Sequence, residues 1–380
     1  MAKVRVNWNI IIVLILALIA VGLTGYSLRK YHRQQRAEVG LSDGLAAYEA
    51  GEWKKAAVGL GRYLAIHRND VDILIKYAQS QLRIQPLKRQ NLGQAINAYR
   101  AVLRLEENEQ AAREIISLYL QFGMPAEAEL IARRFADSTK AIAFRQALAE
   151  SLVRQRKYDQ ALPVLLEMVH KQPQQIDAFK LLAEIAEKRP ELGGTTPVQW
   201  FDRAVARNPD AAAAYILRST YLTKQEKIQA AIEDLHRAEA CDLSDAEVHL
   251  RLAAAWIQHR QYDKAREHLE AIQAVAPSHE KLWYLWAQLA VEMEDPQQML
   301  RVADKGLEVL GRRDYTFLPL AAELLLQAGE TDRAAGCIRL LKDAEADRGT
   351  VLYLEGLAAR MAMDWAGAIQ KWQQAIQQGF

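Results

Sequence analysis

The sequence predicts an all-α solenoid of about ten helix hairpins, and three observations lead to this prediction. A motif of helix end, polar turn, aromatic residue and helix start recurs along the chain and is clearest at Arg260–Ala265. The alanine that closes this motif recurs at intervals of 33 to 39 residues. A second series of small residues precedes it by twelve positions wherever the turn is short. Small residues at a fixed offset indicate closely packed helix pairs, and such a period indicates an array of these pairs.

The closing positions of the motif are Ala56, Ala95, Ala128, Ala161, Pro197, Ala231, Ala265, Met299, Ala334 and Ala368. The earlier series consists of Gly44, Ala149, Ser219, Ala253, Ala287, Ala322 and Gly356, with Ala78 and Ala183 ahead of longer turns. Two insertions lengthen the turns, at Gln85–Asn91 and at Arg189–Pro197. The proline at 197 is compatible with a first helical turn, where its missing N–H has no partner to lose.

The composition is that of an ordinary soluble fold, with 51% hydrophobic and 25% charged residues. The net charge of +2 hides an excess of six basic residues over residues 1–37, where no acidic residue occurs. The rest of the chain is slightly acidic, so no basic stripe for nucleic acid is expected. Cys241 and Cys337 lie nearly three repeats apart, which excludes a disulfide scaffold, and we interpret both as buried thiols.

The first residues predict a membrane anchor. No charged residue occurs from Val6 to Leu28, and a helix of this length crosses a hydrocarbon core of about 30 Å. Trp8 and Tyr26 lie at its ends, as interfacial aromatic residues do. The alternative is a cleaved signal peptide, but the basic residues directly after the apolar run favour a stop-transfer flank. The excess of basic residues on the C-terminal side favours a cytoplasmic array, with export of the array as the alternative.

The predicted organisation therefore has four segments. Residues 1–9 form a tail, 10–28 a transmembrane helix of the inner membrane, 29–40 a basic juxtamembrane linker and 41–380 the repeat array. An apolar face at Trp372, Ile376 and Phe380 would close the last hairpin without a polar cap. We therefore expect either that the array continues beyond this sequence or that a partner covers the face.

The repeats resemble the tetratricopeptide repeat (TPR) over about 340 of the 380 residues. The seventh repeat carries the pattern of that family at His249, Ala253, Tyr262, Ala265, Leu269 and Pro277. Ile116, Pro197 and Met299 depart from it, because the family has small residues at these places. The anchor followed by repeats resembles bacterial envelope-assembly scaffolds of the lipopolysaccharide assembly protein B type. The metal module of those scaffolds is absent, since no CxxC motif occurs.

The resemblance implies a right-handed superhelix whose concave groove, lined by the first helix of each hairpin, binds a segment of a partner protein. Carried over repeat by repeat, the groove positions are Lys180, Glu184, Glu187, Ile216, Thr220, Thr223, Leu250, Ala254, Ile257, Tyr284, Gln288 and Val291. The first three are charged and the later ones more apolar, which suits a peptide with an apolar anchor and a basic or amide-rich flank. The alternative for Leu250 and Ile257 is packing between hairpins. Glu184 stands where the carboxylate clamp of chaperone-binding TPRs has Asn, so chaperone tails are not expected.

No sequence motif indicates catalysis. His249, His259 and His268 are spaced by ten and nine residues, and we interpret them as scattered histidines rather than metal ligands. Gly59 and Gly61 lie inside a predicted helix, where they indicate close helix packing rather than a phosphate loop. We therefore expect no enzyme activity, cofactor, metal, nucleic acid or small-molecule substrate. The predicted function is a membrane-anchored protein-interaction scaffold. The alternative is the docking or regulatory part of a larger enzyme or export assembly.

Overall fold

The computed structural model of the chain describes residues 8–139, 142–311 and 314–380. Within helices, the side chains of residues 8–23, 25, 27, 138, 139 and 193 are not among those described. The described part is entirely helical, with 21 helices and no strand. This confirms the predicted all-α class.

The helices are α1 (Trp8–Glu49), α2 (Trp53–Leu64), α3 (Val71–Arg83), α4 (Arg89–Leu105), α5 (Glu109–Gln121), α6 (Pro125–Thr139), α7 (Ile142–Arg154), α8 (Tyr158–Lys171), α9 (Ile176–Lys188), α10 (Pro190–Gly193), α11 (Pro197–Arg207), α12 (Ala212–Lys224), α13 (Ile228–Glu239), α14 (Ala246–Gln258), α15 (Tyr262–Val275), α16 (Glu280–Glu292), α17 (Pro296–Leu310), α18 (Leu318–Gln327), α19 (Thr331–Asp343), α20 (Arg348–Met361) and α21 (Trp365–Gln377). Apart from the 42-residue α1 and the four-residue α10, they have the length and order of helix hairpins.

The chain divides into two compact units, Met1–Met124 and Pro125–Phe380. In the first, α1 packs on α2 and α3 on α4. In the second, α6 is followed by seven pairs: α7 with α8, α9 with α11, α12 with α13, α14 with α15, α16 with α17, α18 with α19, and α20 with α21. The boundary separates α5 from α6, the two helices predicted as the third repeat.

The alanines that predicted the repeat lie at the centres of these pairs. Ala56, Ala95, Ala231, Ala265 and Ala334 each have none of their surface exposed. A small side chain at a helix crossing lets two backbones approach, and a larger one would force them apart. The departures differ from each other, because Met299 is buried like the alanines whereas Pro197 is only partly buried.

The α1–α2 pair shows the closest approach. A Cβ atom on Gly59 would lie 2.6 Å from the carbonyl oxygen of Gly40 and 2.7 Å from the Cα of Gly44. A Cβ atom on Gly44 would lie 2.7 Å from the backbone nitrogen of Leu60. The two backbones are therefore in direct contact, as predicted for Gly59.

A left-handed residue ends the first helix of most pairs. Gly51 and Gly329 occupy this place with positive φ, but Arg156, Glu226 and Arg260 do so as well. The next N–H then bonds back across the turn, as from Gln261 to the carbonyl of Trp256 at 2.9 Å. This is the Schellman arrangement, which satisfies carbonyl groups at a helix end.

Two features concern the N-terminal region. Helix α1 runs without interruption through residues 29–40, predicted as a linker, and into the first hairpin. Within the described ranges, no helix combines the length and the apolarity that a membrane crossing requires. The predicted span, residues 10–28, falls mainly on positions whose side chains lie outside the described residues, as do most of the predicted tail residues 1–9. The anchor stays a prediction.

Both cysteines are free thiols in the second unit. Cys337 is buried as predicted, and burial raises the pKa of its thiol. Cys241 is only partly buried, because it follows the end of α13. Its Sγ donates to the carbonyl of Arg237 at 3.3 Å, within the same turn.

Candidate partner-binding surface

The first helices of neighbouring pairs in the second unit lie side by side. Contacts run from α7 to α9, α9 to α12, α12 to α14, α14 to α16, α16 to α18 and α18 to α20. The side chains on their free face therefore form one continuous surface, which we call the first-helix surface. All twelve predicted groove residues lie on four of these helices, α9, α12, α14 and α16.

The structure sorts those residues by exposure. Exposed are Lys180, Glu187, Thr220, Tyr284, Gln288 and Val291. Partly buried are Glu184, Thr223 and Ala254. Buried are Ile216, Leu250 and Ile257. Only the first two groups have surface to offer a partner.

The three buried residues belong to the hydrophobic core. Ile216 is 5% exposed, and Leu250 and Ile257 are each 2% exposed. Helix α14 contacts its hairpin partner α15 and both neighbouring first helices, α12 and α16. It therefore needs apolar side chains on three sides. These residues pack between helices, the alternative that the sequence left open for Leu250 and Ile257.

The threonines of α12 are held by the helix itself. Thr220 Oγ1 donates to the carbonyl of Ile216 at 2.8 Å, and Thr223 Oγ1 donates to that of Ser219 at 2.9 Å. Thr223 Oγ1 also lies 3.0 Å from Nε2 of His259, at the end of α14. This contact ties two neighbouring first helices together. Burial lowers the pKa of His259, which favours its neutral form there.

A cleft of about 460 Å³ opens between α9, α11 and α12. Its lining contains four of the predicted groove residues, Lys180, Glu184, Glu187 and Thr220. The other lining residues are Ala183, Lys188, Pro197, Phe201, Leu217, Tyr221, Lys224 and Gln225. The structure thus brings the charged part of the predicted groove together in one concave site.

The cleft combines an aromatic patch with charges of both signs. The rings of Phe201 and Tyr221 lie 4.8 Å apart between centroids. Burial, and then the nearby carboxylate of Glu187, raise the pKa of Tyr221, so its phenol stays neutral at physiological pH. An apolar side chain can pack on the rings, while flanking groups reach lysines or carboxylates.

The insertion between α9 and α11 accounts for the cleft. Helix α9 ends before Arg189, α10 adds one short turn, and Gly194 reverses the chain with φ 54°. Thr196 and Gln199 then form a capping box that starts α11 at Pro197. Where other repeats place a buried alanine, this one places a partly buried proline that lines the cleft. The departure from the repeat pattern therefore marks the site.

The sequence missed eight of the twelve lining residues. Phe201 belongs to α11 and Tyr221 to a side of α12 that was not assigned to the groove. The lysines at 188 and 224 lie at the ends of α9 and α12 and also line the cleft. The available signal was the insertion itself, because it replaces the buried alanine of the repeat by Pro197, which lines the cleft.

Tyr284 is the best-fixed exposed side chain of the predicted groove. Its hydroxyl donates to the carbonyl of Thr316 at 2.8 Å, and its ring meets Phe317 edge to face. Burial raises its pKa, as do the carboxylates of Glu280 and Asp314. Its exposed edge lies on the same face as Gln288 and Val291, one and two turns along α16.

The histidines depart from the prediction. The Nδ1 atoms of His249 and His268 lie 3.0 Å apart, so these two side chains meet across the α14–α15 pair instead of being scattered. His268 also lies 3.6 Å from a carboxylate oxygen of Glu239. In the described part of the chain, no group of three or more histidine, cysteine or acidic side chains has a metal-binding arrangement.

Comparisons with known proteins agree with the repeat assignment. Residues 147–194 and 222–289 each match a family model described as tetratricopeptide repeat. No curated protein matches the sequence. These two segments therefore carry tetratricopeptide repeats, and the remaining hairpins are assigned from the structure.

Several solved structures are similar in fold. Pseudomonas aeruginosa pilF is 20% identical with a TM-score of 0.39, covering 53% of this chain and 90% of that chain. Yeast Tom70 is 13% identical with a TM-score of 0.46, covering 96% of this chain and 92% of that chain. YrrB, described as a TPR protein with an unusual peptide-binding site, is 18% identical with a TM-score of 0.34, covering 47% of this chain and 92% of that chain. None of these likenesses says what this chain binds.

Proposed function

We propose that this chain is a membrane-anchored scaffold that binds a segment of a partner protein on its first-helix surface. Tetratricopeptide repeats generally mediate contacts between proteins, and two segments of the chain match that family. The observation that carries the proposal is the cleft between α9, α11 and α12. It is concave, its lining includes four of the predicted groove residues, and it combines aromatic and charged groups.

The chemistry of the cleft suggests the kind of segment it binds. One apolar side chain would pack against Phe201 and Tyr221, and a basic or amide-rich flank would face Glu184 and Glu187. The exposed residues of α16 would extend the contact to a second anchor at Tyr284. The three lysines of the lining would disfavour a strongly cationic peptide, so a single basic flank fits better than a basic run.

The membrane part of the proposal rests on the uncharged segment from Val6 to Leu28 and its basic flank. We propose a single inner-membrane span with the array on the cytoplasmic side. Carbonate extraction of native membranes tests the anchor, and protease treatment of sealed inverted vesicles tests the side. Release into the carbonate supernatant would reject the anchor, and protection of the array in inverted vesicles would place it on the opposite side.

Photo-crosslinking in cells tests the surface. Crosslinkers at Glu184, Thr220 and Gln288 occupy its accessible part, whereas Ile216 and Leu250 are buried and unsuitable. The matched control is Val275 on the second helix α15, which is 76% exposed. We expect one discrete partner from the three test positions and none from Val275. Equal capture from Val275 would contradict a specific first-helix surface.

A charge reversal then tests the cleft itself. Glu187→Lys changes an exposed carboxylate of the lining, and Glu233→Lys makes the same change at an exposed site on α13. We expect the crosslinked partner from Thr220 to fall several-fold only in the first variant. An equal loss in both variants would indicate a general charge effect and would reject the cleft as the contact.

A further inference from the structure

A second cleft, in the first unit, has a different chemistry. It lies between α1 and α2 and has a volume of about 710 Å³. Its lining consists of Arg29, His32, Arg33, Arg36, Ala37, Arg62, Ala65 and Ile66. Every ionisable group in that lining is basic, and no carboxylate takes part.

The arginines converge because of helix geometry. Arg29, Arg33 and Arg36 are spaced by four and three residues, which places them on one face of α1. Arg62 comes from α2, whose backbone is held against α1 by the contact between Gly40 and Gly59. Four guanidinium groups from two helices therefore face one space.

These charges are not neutralised by the protein. All four arginines are exposed, and among the described residues none of them has an ion-pair partner. Glu38 is the acidic residue closest in sequence to Arg36, but its carboxylate faces His67, with 3.8 Å between Oε1 of Glu38 and Nε2 of His67. Several like charges around one cleft raise the local concentration of anions, and guanidinium forks bind phosphate oxygens in pairs. The cleft therefore has the charge and the hydrogen-bond donors that suit a phosphate group.

The position along α1 places the cleft directly after the predicted membrane span. Arg29 directly follows residue 28, the end of the predicted span, and α1 continues unbroken through both. A helix rises 1.5 Å per residue, so Arg36 lies only about 10 Å beyond Arg29. The polar headgroup layer is of the same order, about 5–8 Å on each side of the bilayer. The cleft would therefore face the lipid headgroups.

We propose that the cleft formed by Arg29, Arg33, Arg36 and Arg62 binds the phosphate headgroup of an anionic phospholipid. The inference rests on the proposed anchor, which would hold the cleft at the membrane surface. The alanines and Ile66 of the lining offer an apolar wall beside the cations, which suits the glycerol backbone of a lipid. Binding would fix the angle at which the first hairpin leaves the membrane.

The test uses the full chain in lipid nanodiscs that contain phosphatidylcholine and phosphatidylglycerol. Native mass spectrometry of the released protein counts the lipids that it retains. The test variant is Arg33→Ala with Arg62→Ala, and the control is Arg68→Ala with Arg104→Ala, which removes equal charge from exposed sites of the same unit. Each arginine near a membrane surface contributes about a fivefold preference for anionic lipid, so the pair predicts a loss of roughly 30-fold.

The outcomes separate the inference from its alternatives. Retention of phosphatidylglycerol that falls in the test variant and persists in the control supports the cleft as the site. Equal retention in both variants overturns it. Displacement of the lipid by inorganic phosphate at equal concentration would assign a free anion instead, and displacement by a polyglutamate peptide would assign an acidic protein segment.

Binding of a soluble lipid tests the headgroup site independently of the proposed membrane anchor. Dihexanoyl phosphatidylglycerol presents the same headgroup without a bilayer. If the chain is released from phosphatidylcholine vesicles by carbonate, the anchor fails. Arginine-dependent binding of the soluble lipid would still support the headgroup site in that case, and its absence would overturn it.

Discussion

Two regions of the second unit use the same repeat in different ways. The pairs α14–α15 and α16–α17 are joined by short turns and fill their interior with Trp256, Trp283 and Trp286, which are all buried. The pair α9–α11 contains the insertion from Arg189 to Pro197 and has a cleft beside Phe201. A cleft of about 460 Å³ also opens beside Trp283 and Trp286, but its lining contains none of the predicted groove residues, whereas the cleft beside Phe201 contains four of them.

The difference teaches where a repeat array gains a binding site. Each hairpin must bury apolar surface against its neighbours, and a regular turn brings the two helices together at an alanine. At the insertion, a partly buried proline replaces that alanine, although α11 still packs on α9. The space beside Pro197 is lined by residues of α9, α11 and α12. The break in the period therefore coincides with the cleft that contains four predicted groove residues, whereas the apolar groove residues Leu250 and Ile257 are buried.

The largest expected effect concerns α12, which lies between the two regions and contacts α9, α11 and α14. Asp234 is 3% exposed and accepts two hydrogen bonds of 2.7 Å from the guanidinium of Arg218. Hydrogen bonds to Asp234 raise the pKa of Arg218, so this arginine stays charged. Asp234→Ala would leave a partly buried charge without its main partner and lower the free energy of unfolding by about 3–5 kcal/mol.

Chemical denaturation of the variants measures this effect. The control is Asp202→Ala, because Asp202 also contacts Arg218, at 3.0 Å, but its side chain is 54% exposed. Removal of that exposed partner should cost less than about 1 kcal/mol. Similar losses in the two variants would mean that the buried pair with Asp234 contributes no more to stability than the exposed pair with Asp202, which would contradict the prediction.

The next effect compares equivalent positions in the two regions. Ala265→Trp places a large ring at a fully buried helix crossing and should cost about 1–3 kcal/mol through overpacking. Pro197→Trp makes a similar change at the partly buried position beside the cleft, where the ring has space, so we expect a loss below about 1 kcal/mol. Thermal unfolding of both variants measures the difference. Equal losses would show that the insertion has not opened the packing at Pro197.

A smaller effect is a pH dependence in the regular region. Burial, and then the neighbouring His249, lower the pKa of His268, while Glu239 opposes the shift. The folded state therefore favours neutral His268 more than the unfolded chain does. Its stabilisation is present above the unfolded pKa of about 6.5 and is lost as the pH falls below that value.

Unfolding free energies between neutral and mildly acidic pH test this sign. His268→Gln should flatten the dependence, and the remaining slope should contain a part from His259, whose pKa burial also lowers. His32→Gln is the control, because His32 is exposed on α1. A wild-type protein that gains stability on acidification over this range would contradict the prediction.

The sequence predicted the register of the hairpins well, and the reason is steric. A helix crossing tolerates only a small residue, so Ala253 and Ala265 identify the contact without knowledge of the rest of the fold. The same register could also have predicted the histidine pair. In an antiparallel hairpin in which Ala253 meets Ala265, the residue four positions before Ala253 faces the residue about three positions after Ala265. These are His249 and His268, which lie 3.0 Å apart.

The groove was harder to predict, because a first helix has several buried sides. Leu250 and Ile257 have the right position in the repeat, but α14 is packed by α12, α15 and α16. Their apolar character therefore serves the core. The cleft depends on where α11 lies after the insertion, and neither the period nor the family pattern specifies that position. Charged residues such as Glu187 are exposed on this face, since they are rarely buried without a partner.

The smallest effect is expected at Arg260, in one of the turns that distinguish the two regions. Arg260 closes the regular turn with φ 58°, a conformation that disfavours a side chain, whereas the insertion uses Gly194 with φ 54°. Arg260→Gly should stabilise the protein by about 0.5 kcal/mol, because relief of the strained φ outweighs the added freedom of the unfolded chain. Gly194→Ala should cost about 1–2 kcal/mol from conformation alone, since no atom lies within 4 Å of the new Cβ. Thermal unfolding of both variants measures the two shifts, and a loss of stability in Arg260→Gly would indicate that the arginine side chain supports the turn by a contact of its own.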